Sequence, residues 1–518
     1  MPLPSGGNWP PKPLADIYAQ YEVLDAWYRG DADQLTTIYR SQADKTRPAN
    51  RPSQYRGGLL GAAARFWWGQ PTPEGERRTK LHVPIASDLA TMSSDLLFSE
   101  PPTMTVENPE TQKRIEELVE EGLQATLLEG AEVGAALGGY YLRTVWDRDI
   151  AERPWLGTVH ADAAVPEWRW GRLWAVTFWR IIEQDDKGKC LLHLERHEPG
   201  WIYNGLYRGN PGELGDQLPL TAHPETERLQ PAIETGLKQA TANYIPNMRP
   251  NRDWRRVPAG APLGRSDFTG AVLGLMDAVD ETWSSWMRDI RIGKGRLVVP
   301  KEYVQNLGPG QGGAFSLDRE VYEAIDSALP GEGINITATQ FAIRVQEHRD
   351  TQAELLSAIL RATGYSAQSF GLSGDVAITA TEVAAKERRS LVTRGKKALY
   401  TAPELASSVE TLLQLDNKLF GSKIVPERPT IVFGDSVSPD LMQLAQTANL
   451  MRQAEAASDE TLVRLLHQDW DETEIMAEVA RIADQRPQPV PDPFALRPDP
   501  AEDPNAPPAD GQDGPPGE

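Results

Sequence analysis

Between residues 268 and 290, Phe268, Val272, Leu275, Met276, Val279, Trp283, Trp286, Met287 and Ile290 recur at steps of one, three and four. That spacing is the apolar face of a 3.6-residue period and commits the segment to a long amphipathic helix. Asp277, Asp280, Glu281, Ser284, Arg288 and Arg291 fall on the opposite side, which is expected to be wet or charge-paired. The three acidic residues interrupt any run of the roughly 20 apolar residues that a bilayer requires, so a membrane span is excluded. At ~1.5 Å per residue the helix reaches roughly 35 Å, longer than most globular helices. Ser266 or Asp267 is the expected N-cap. Past Ile292 the pattern becomes strand-like in "GKGRLVVP", entered through Arg291, Lys294 and Arg296.

A chain of 518 residues, 40% hydrophobic, is long enough for several domains with sizeable cores. Its single cysteine, Cys190, allows no disulfide within the chain, which fits a reducing cytosol. The opening "MPLPSGGNWPPKPLADIY" has neither a basic start nor an apolar core, so no export signal is expected and assembly in the cytoplasm follows. A net charge of −21 has the wrong sign for a protein that grips nucleic acid by neutralising phosphates. From Asp440 to Glu518 there are 17 acidic against 5 basic side chains. Such a concentration provides solubility, or a surface to which passing DNA does not adhere.

Along the chain, a helix is expected from Leu14 to Arg29 and a shorter one ending near Tyr39. A Pro, Gly and Arg-rich loop from Arg47 to Arg78 contains "RFWWGQP". Pro84 suits the first turn of a helix that Pro101 and Pro102 stop, and a long acidic helix is expected from Pro109 to Leu137. From Tyr140 a period of two takes over, giving an antiparallel meander with turn signals at Gly171–Arg172, Asp186–Gly188 and Asn204–Gly205. Residues 209–265 are loop-rich. A helix spans Gln346 to Thr363, a Gly-containing loop follows, and Thr379 with Glu382 has the capping-box spacing that opens another long helix. After a strand at 428–435, helices are expected at about 438–457, 459–468 and 471–484. The final 34 residues hold 11 prolines and no apolar period, so disorder is expected there.

Chemistry-bearing motifs are sparse. The Gly-Lys pairs at 293–294 and 395–396 lack the P-loop's preceding glycine and following Ser or Thr, so no nucleotide-hydrolysing motor is expected. In "HLERHE", His193, Glu195 and His197 share one strand face with the ligand types of a metal site, but without an established ligand spacing. Ordinary polar residues of a sheet edge are the favoured reading. "GLSGD" at 371–375 lacks the nucleophile-elbow pattern, and catalysis is not expected. Trp168, Trp170, Trp174 and Trp179 could stack on sugars or bases, although core packing is the simpler use of four tryptophans on a sheet.

The order of these parts resembles the portal proteins of tailed bacteriophages, particularly the long-tailed phages of actinobacteria. The likeness is carried by "RSDFTGAVLGLMDAVDETWSSWMRDIRIGKGRLVVP" at 265–300 and "TGYSAQSFGLSGDVAITATEVAAKERRSLVTRGKKALY" at 363–400, with "PEWRWGRLWAVTFWR" and "HLERHEPGWIYNGLYRG" in the β region. It spans about residues 14–484. The resemblance implies an α+β portal fold: a mixed wing over 1–265, a two-helix stem at 266–292 and 346–363, and a small α/β clip at 293–345. A tunnel loop at 364–378, a long helix and strand at 379–437, a helical crown at 438–484 and a disordered tail at 485–518 complete it. It further implies a homo-oligomeric ring, usually of twelve subunits, at one capsid vertex of the virion, without enzyme activity or cofactor. Double-stranded DNA would pass through it during packaging and ejection without sequence specificity. Its partners would be the terminase large subunit, the major capsid and scaffolding proteins and head-completion or connector proteins, with no membrane. Gly364, Gly371, Gly374 and Asp375 are the implied tunnel-loop residues. Arg291, Lys294 and Arg296 are the basic residues between stem and clip, and Trp283, Trp286 and Met287 the stem packing. Another capsid or connector component, and a Trp-rich carbohydrate-active or metal-dependent enzyme, are the alternatives.

Overall fold

The computed structural model describes residues 3–44, 67–69, 80–292, 343–371, 380–434, 441–454, 456–467, 470 and 472–485, and within 293–342 the strand residues 296–298, 305–306, 313–314 and 337–339. Lys294, Gly374, Asp375, the capping Thr379 and the Pro-rich stretch beyond 485 lie outside the described residues. The chain divides into two compact units, Met1–Ser436 and Val437–Glu518.

In the first unit, helices α1 (Ala15–Arg29) and α2 (Ala32–Asp44) precede α3 (Ile85–Phe98), α4 (Pro109–Glu120) and α5 (Leu123–Leu137). The single acidic helix expected over 109–137 is thus two. Gly122 adopts φ 100°, a left-handed conformation that ends one helix and starts the next. The strands are β1 (Gly7–Asn8), β2 (Thr103–Thr105), β3 (Gly139–Val145), β4 (Trp155–His160), β5 (Ala164–Arg169), β6 (Arg172–Gln184), β7 (Cys190–Glu198), β8 (Trp201–Asn210), β9 (Glu213–Leu218), β10 (Ala232–Glu234) and β11 (Ala242–Pro246). Helix α6 (Gly270–Ile292) follows, then the short strands β12 (Arg296–Val298), β13 (Gln305–Asn306), β14 (Gly313–Ala314) and β15 (Thr337–Thr339). Helices α7 (Val345–Thr363) and α8 (Ala380–Phe420) and strand β16 (Thr430–Val432) complete the unit.

The architecture is α+β, with antiparallel strand pairing throughout the described sheets. The expected meander is realised from β5 to β9, in the order β1-β9-β8-β7-β6-β5 with β10 on β8. β3 and β4 do not join it; they form a separate three-stranded sheet with β11. Strand β16 returns to pair with β2, more than 300 residues earlier in the chain, and β12 pairs with β15. The turn expected at Asn204–Gly205 is absent, because both residues lie inside β8 and Gly200, at φ 85°, makes the reversal instead. Gly205 serves close approach: a Cβ there meets Leu3 Cδ1 at 2.8 Å.

Two apolar cores result. One joins α1, α2, α3, the inner face of β5–β8 and the first half of α6. The other joins α4, α5, one face of β3, β4 and β11, and the C-terminal half of α8. In the second unit, α9 (Leu441–Gln453), α10 (Asp459–Leu466) and α11 (Glu472–Gln485) bury Ala448, Leu462, Val463 and Ile475. Ser458 caps α10 by accepting from the Thr461 amide at 3.3 Å, and Arg464 bridges Glu460 and Glu472. No helix among the described residues is long and apolar enough to cross a membrane.

Candidate functional site

Helices α6 and α7 pair antiparallel, since Asp267 at the foot of α6 meets Tyr365 just past α7, while Asp289 near the far end of α6 meets Arg344 and His348. The two halves of α6 live in different surroundings. Val272, Leu273, Met276, Asp277, Val279 and Asp280 are buried, whereas every residue from Glu281 to Ile290 is at least partly exposed. The packing trio Trp283, Trp286 and Met287 therefore lies partly buried on the less covered half, with Trp283 against the main core. Trp283 stacks on Trp286 at 5.4 Å between centroids, and Trp286 stacks on His348 at 5.8 Å with planes only 7° apart. The hydrogen bond with His348, followed by that from Arg344, holds the Asp289 carboxyl below its usual range. Arg291 is exposed in the last turn of α6. Arg296 opens β12, its backbone paired with Thr339.

The polar face of α6 is not wet at its start. The Asp277 carboxylate accepts from the amide of Trp67 at 2.8 Å, and Asp280 accepts from the Trp68 indole at 3.0 Å and the Val83 amide at 2.8 Å. His82 Nδ1 lies 2.8 Å from Asp280, and Ser284 accepts from the Leu81 amide at 2.9 Å. Lys80 donates to the carbonyls of Trp67 and Trp68, holding the segment shut from its other side. The expectation of a wet face is corrected for Asp277 and Asp280: they are the receptors for a distant part of the same chain, and Asp280 also pairs with His82. Two adjacent tryptophans inside a Gly/Pro-rich loop were the available signal, since so much apolar area is seldom left in water.

Burial, against the opposing Trp67 and Trp68 amides, and with help from the charges of Asp280 and Glu281, pushes the Asp277 carboxyl up to about 7. A folded-state value above the unfolded one means that the neutral carboxyl favours the folded form. This stabilisation is complete below about pH 4 and is lost as pH rises through about 7. Its slope is at most about 1.4 kcal/mol per pH unit. The expected result is that protection of the Trp67 and Trp68 amides from hydrogen exchange, corrected for intrinsic rates, falls between pH 5 and 8. Asp277→Asn should flatten that dependence. An equally steep profile in the variant removes Asp277 as its source.

At the foot of α6 lies a buried polar hub. Asp267 is not the N-cap expected for it; the helix begins at Gly270, and Ser266 and Asp267 are buried before it. Asp267 Oδ2 accepts from Lys397 Nζ at 2.6 Å and Tyr365 Oη at 2.7 Å, and Oδ1 accepts from Asn247 Nδ2 at 2.8 Å. Lys397 also donates to Ser93 at 2.5 Å. One carboxylate thus ties together α3, the segment after β11, α6, the end of α7 and α8. Burial pulls the Lys397 ammonium below the usual lysine range, with Asp267 opposing the shift, and burial followed by the Asp267 charge pushes the Tyr365 hydroxyl well up. Lys397 stands beside the Gly-Lys pair at 395–396 and was missed because a lysine among charged helix residues ordinarily points to water.

The segment after α7 is tied to α8. Gly364 caps α7 at φ 92° and its carbonyl accepts from Thr393 at 2.6 Å; Gly371 ends a short helical turn at φ 65°. The hydroxyls of Ser366, Ser369 and Ser390 lie within 2.8–3.1 Å of one another.

In "HLERHE", His197 contacts Thr241 at 2.6 Å and Glu195 at 2.8 Å, Glu195 pairs with Arg143, and His193 contacts Asn204 at 3.1 Å. Burial alone raises a carboxyl, but Arg143 and His197 hold Glu195 well below its usual range. Among the described residues no three His, Cys, Asp or Glu side chains are grouped to hold a metal ion. Of the sheet tryptophans, Trp168 and Trp179 pack against the main core, Trp174 lies under the Arg169 guanidinium at 3.5 Å, and Trp170 stands in solvent.

No family model and no curated protein matches the chain. Among solved structures it is similar, at 13% identity and a TM-score of 0.38, to a chain from the neck of an empty GTA particle computed with C6 symmetry, over 77% of this chain and 95% of that one. It is similar at the same identity and TM-score to a chain from the neck of a native GTA particle computed with C12 symmetry, over 86% and 98%.

Proposed function

We propose that the chain is a portal-type ring subunit of a phage-like particle, structural rather than catalytic. The observation that carries this reading is the α6–α7 pair: one end is locked into the first unit through Asp267, Asp277 and Asp280, while the other leaves Trp283, Trp286, Met287 and Ile290 only partly buried. An apolar stripe left partly in water along a helix pair fits a subunit whose neighbours complete its packing. In this reading α6 and α7 are the stem, 293–345 the clip, 364–378 the tunnel loop and 438–484 the crown, with 1–265 and 379–437 forming the wing. DNA passes through the central channel, a separate terminase supplies the ATP hydrolysis for which this chain has no P-loop, and connector proteins dock afterwards.

Purified full-length chain, imaged by negative-stain microscopy and weighed by mass photometry, is expected to form rings of about twelve subunits with a central hole. A monomer at every concentration up to tens of micromolar rejects the proposal. Truncation after Asp484 should leave ring formation intact, because the Pro-rich segment carries no apolar pattern with which to pack. Loss of rings on truncation assigns that segment a structural part.

A further inference from the structure

The turn between β5 and β6 makes three locally unfavourable choices at once. Trp170 is fully exposed, at 103% relative accessibility. Its φ is 52°, a left-handed conformation that bulky residues avoid, and Gly171 follows at 77°. The flanking Arg169 and Arg172 are register partners across the two strands, and like charges placed opposite each other destabilise a hairpin. Local rules broken together at one exposed point mark a contact site. Aromatic and arginine anchors are the side chains that carry most binding energy at protein interfaces.

The same unit carries a complementary hole. Where α4 ends, α5 begins and β4 passes, a cavity of about 220 Å³ is lined by Leu118, Leu123, Thr126, Trp155 and Leu156, with Ile150 75% exposed beside it. The depression opens to the surface, and its volume is on the scale of the roughly 150 Å³ that holds a benzene ring. Its rim carries Glu120 and Glu121, exposed at the C-terminal, negative end of α4, with Glu121 also paired to Arg114 at 3.3 Å. A chain does not fill its own hole. Arg172 acts electrostatically on Glu404, whereas Asp416, which binds Arg153 next to the cavity, stands 12 residues or about 18 Å further along α8.

We propose that the Trp170 hairpin of one copy inserts into the Leu118–Leu156 cavity of the next, with Arg169 and Arg172 against Glu120 and Glu121. Knob and hole are different surfaces, so the contact is heterologous and repeats from copy to copy until rotation closes it into a ring. The inference rests on the ring reading and assigns one of its subunit contacts. A tryptophan flanked by arginines also suits nucleic acid, but the chain's net charge of −21 and the acidic rim of a matching hole favour a second copy.

The test places the photocrosslinker p-benzoylphenylalanine at position 170 of the full-length chain and maps the products by mass spectrometry. Crosslinks to residues 118–126 or 150–156 of another copy are expected. Rings that crosslink elsewhere overturn this contact and leave the ring reading standing; a chain that never associates overturns both. Trp170→Ala, and Ala151→Trp to plug the cavity, should each raise the midpoint concentration of association about tenfold or more with unchanged thermal melting. If Trp170→Ala instead abolishes binding to a short DNA duplex and leaves association untouched, the hairpin is a nucleic-acid contact and the proposal fails.

Discussion

Lys397→Met is expected to lower the stability of the first unit by about 3–5 kcal/mol, because it strands the Asp267 carboxylate in a site that water does not reach. Asp267 is 5% and Lys397 2% exposed, so neither charge can recover solvation by a small movement. The cost belongs to the unpaired charge and not to the pair, whose desolvation offsets much of its attraction. Lys397→Met combined with Asp267→Asn should therefore regain part of the loss, since the amide oxygen still accepts from Tyr365 while its NH2 replaces the acceptor of Asn247. Urea unfolding followed at the first unit reads both variants. A single-variant loss under about 1 kcal/mol, or a double variant no better than the single, contradicts the hub as the junction of α3, α6 and α8.

The second large effect is expected at Trp286. Trp286→Ala should cost about 2 kcal/mol, less than the 3–5 of a fully buried tryptophan, because the side chain is only partly buried. The loss is stacking on Trp283 and His348, so it should appear as faster hydrogen exchange over the distal halves of α6 and α7. Trp286→Asp should keep part of its solvation in the isolated chain, because the position is not fully buried. In the ring, where a neighbour covers this face, Asp should be far worse than Ala. Equal ring yields from the two variants separate Trp286 from the subunit interface.

Periodicity carried much of the fold. The stripe from Phe268 to Ile290 located α6, because a 3.6-residue repeat of large apolar side chains has one satisfactory backbone. The period of two located β5 to β9 for the same reason, and the turn at Gly171 was legible because only a left-handed backbone closes so short a hairpin. Glycines without that local necessity misled: Gly205 sits in mid-strand to admit Leu3, and Gly122 divides a helix that its neighbours' propensities continue. Of the candidate site, the sequence by itself determined that α6 has a polar side, and that Trp283, Trp286 and Met287 share its apolar one. Only the tertiary structure decided what meets the polar side. Asp277 and Asp280 receive Trp67, Trp68 and Val83 from about 200 positions away, and Asp267 receives Lys397 from 130. A carboxylate has the same local pattern whether water, a neighbouring subunit or a buried amide satisfies it. Which one does is set by where the chain returns in space, and that depends on the packing of both cores together.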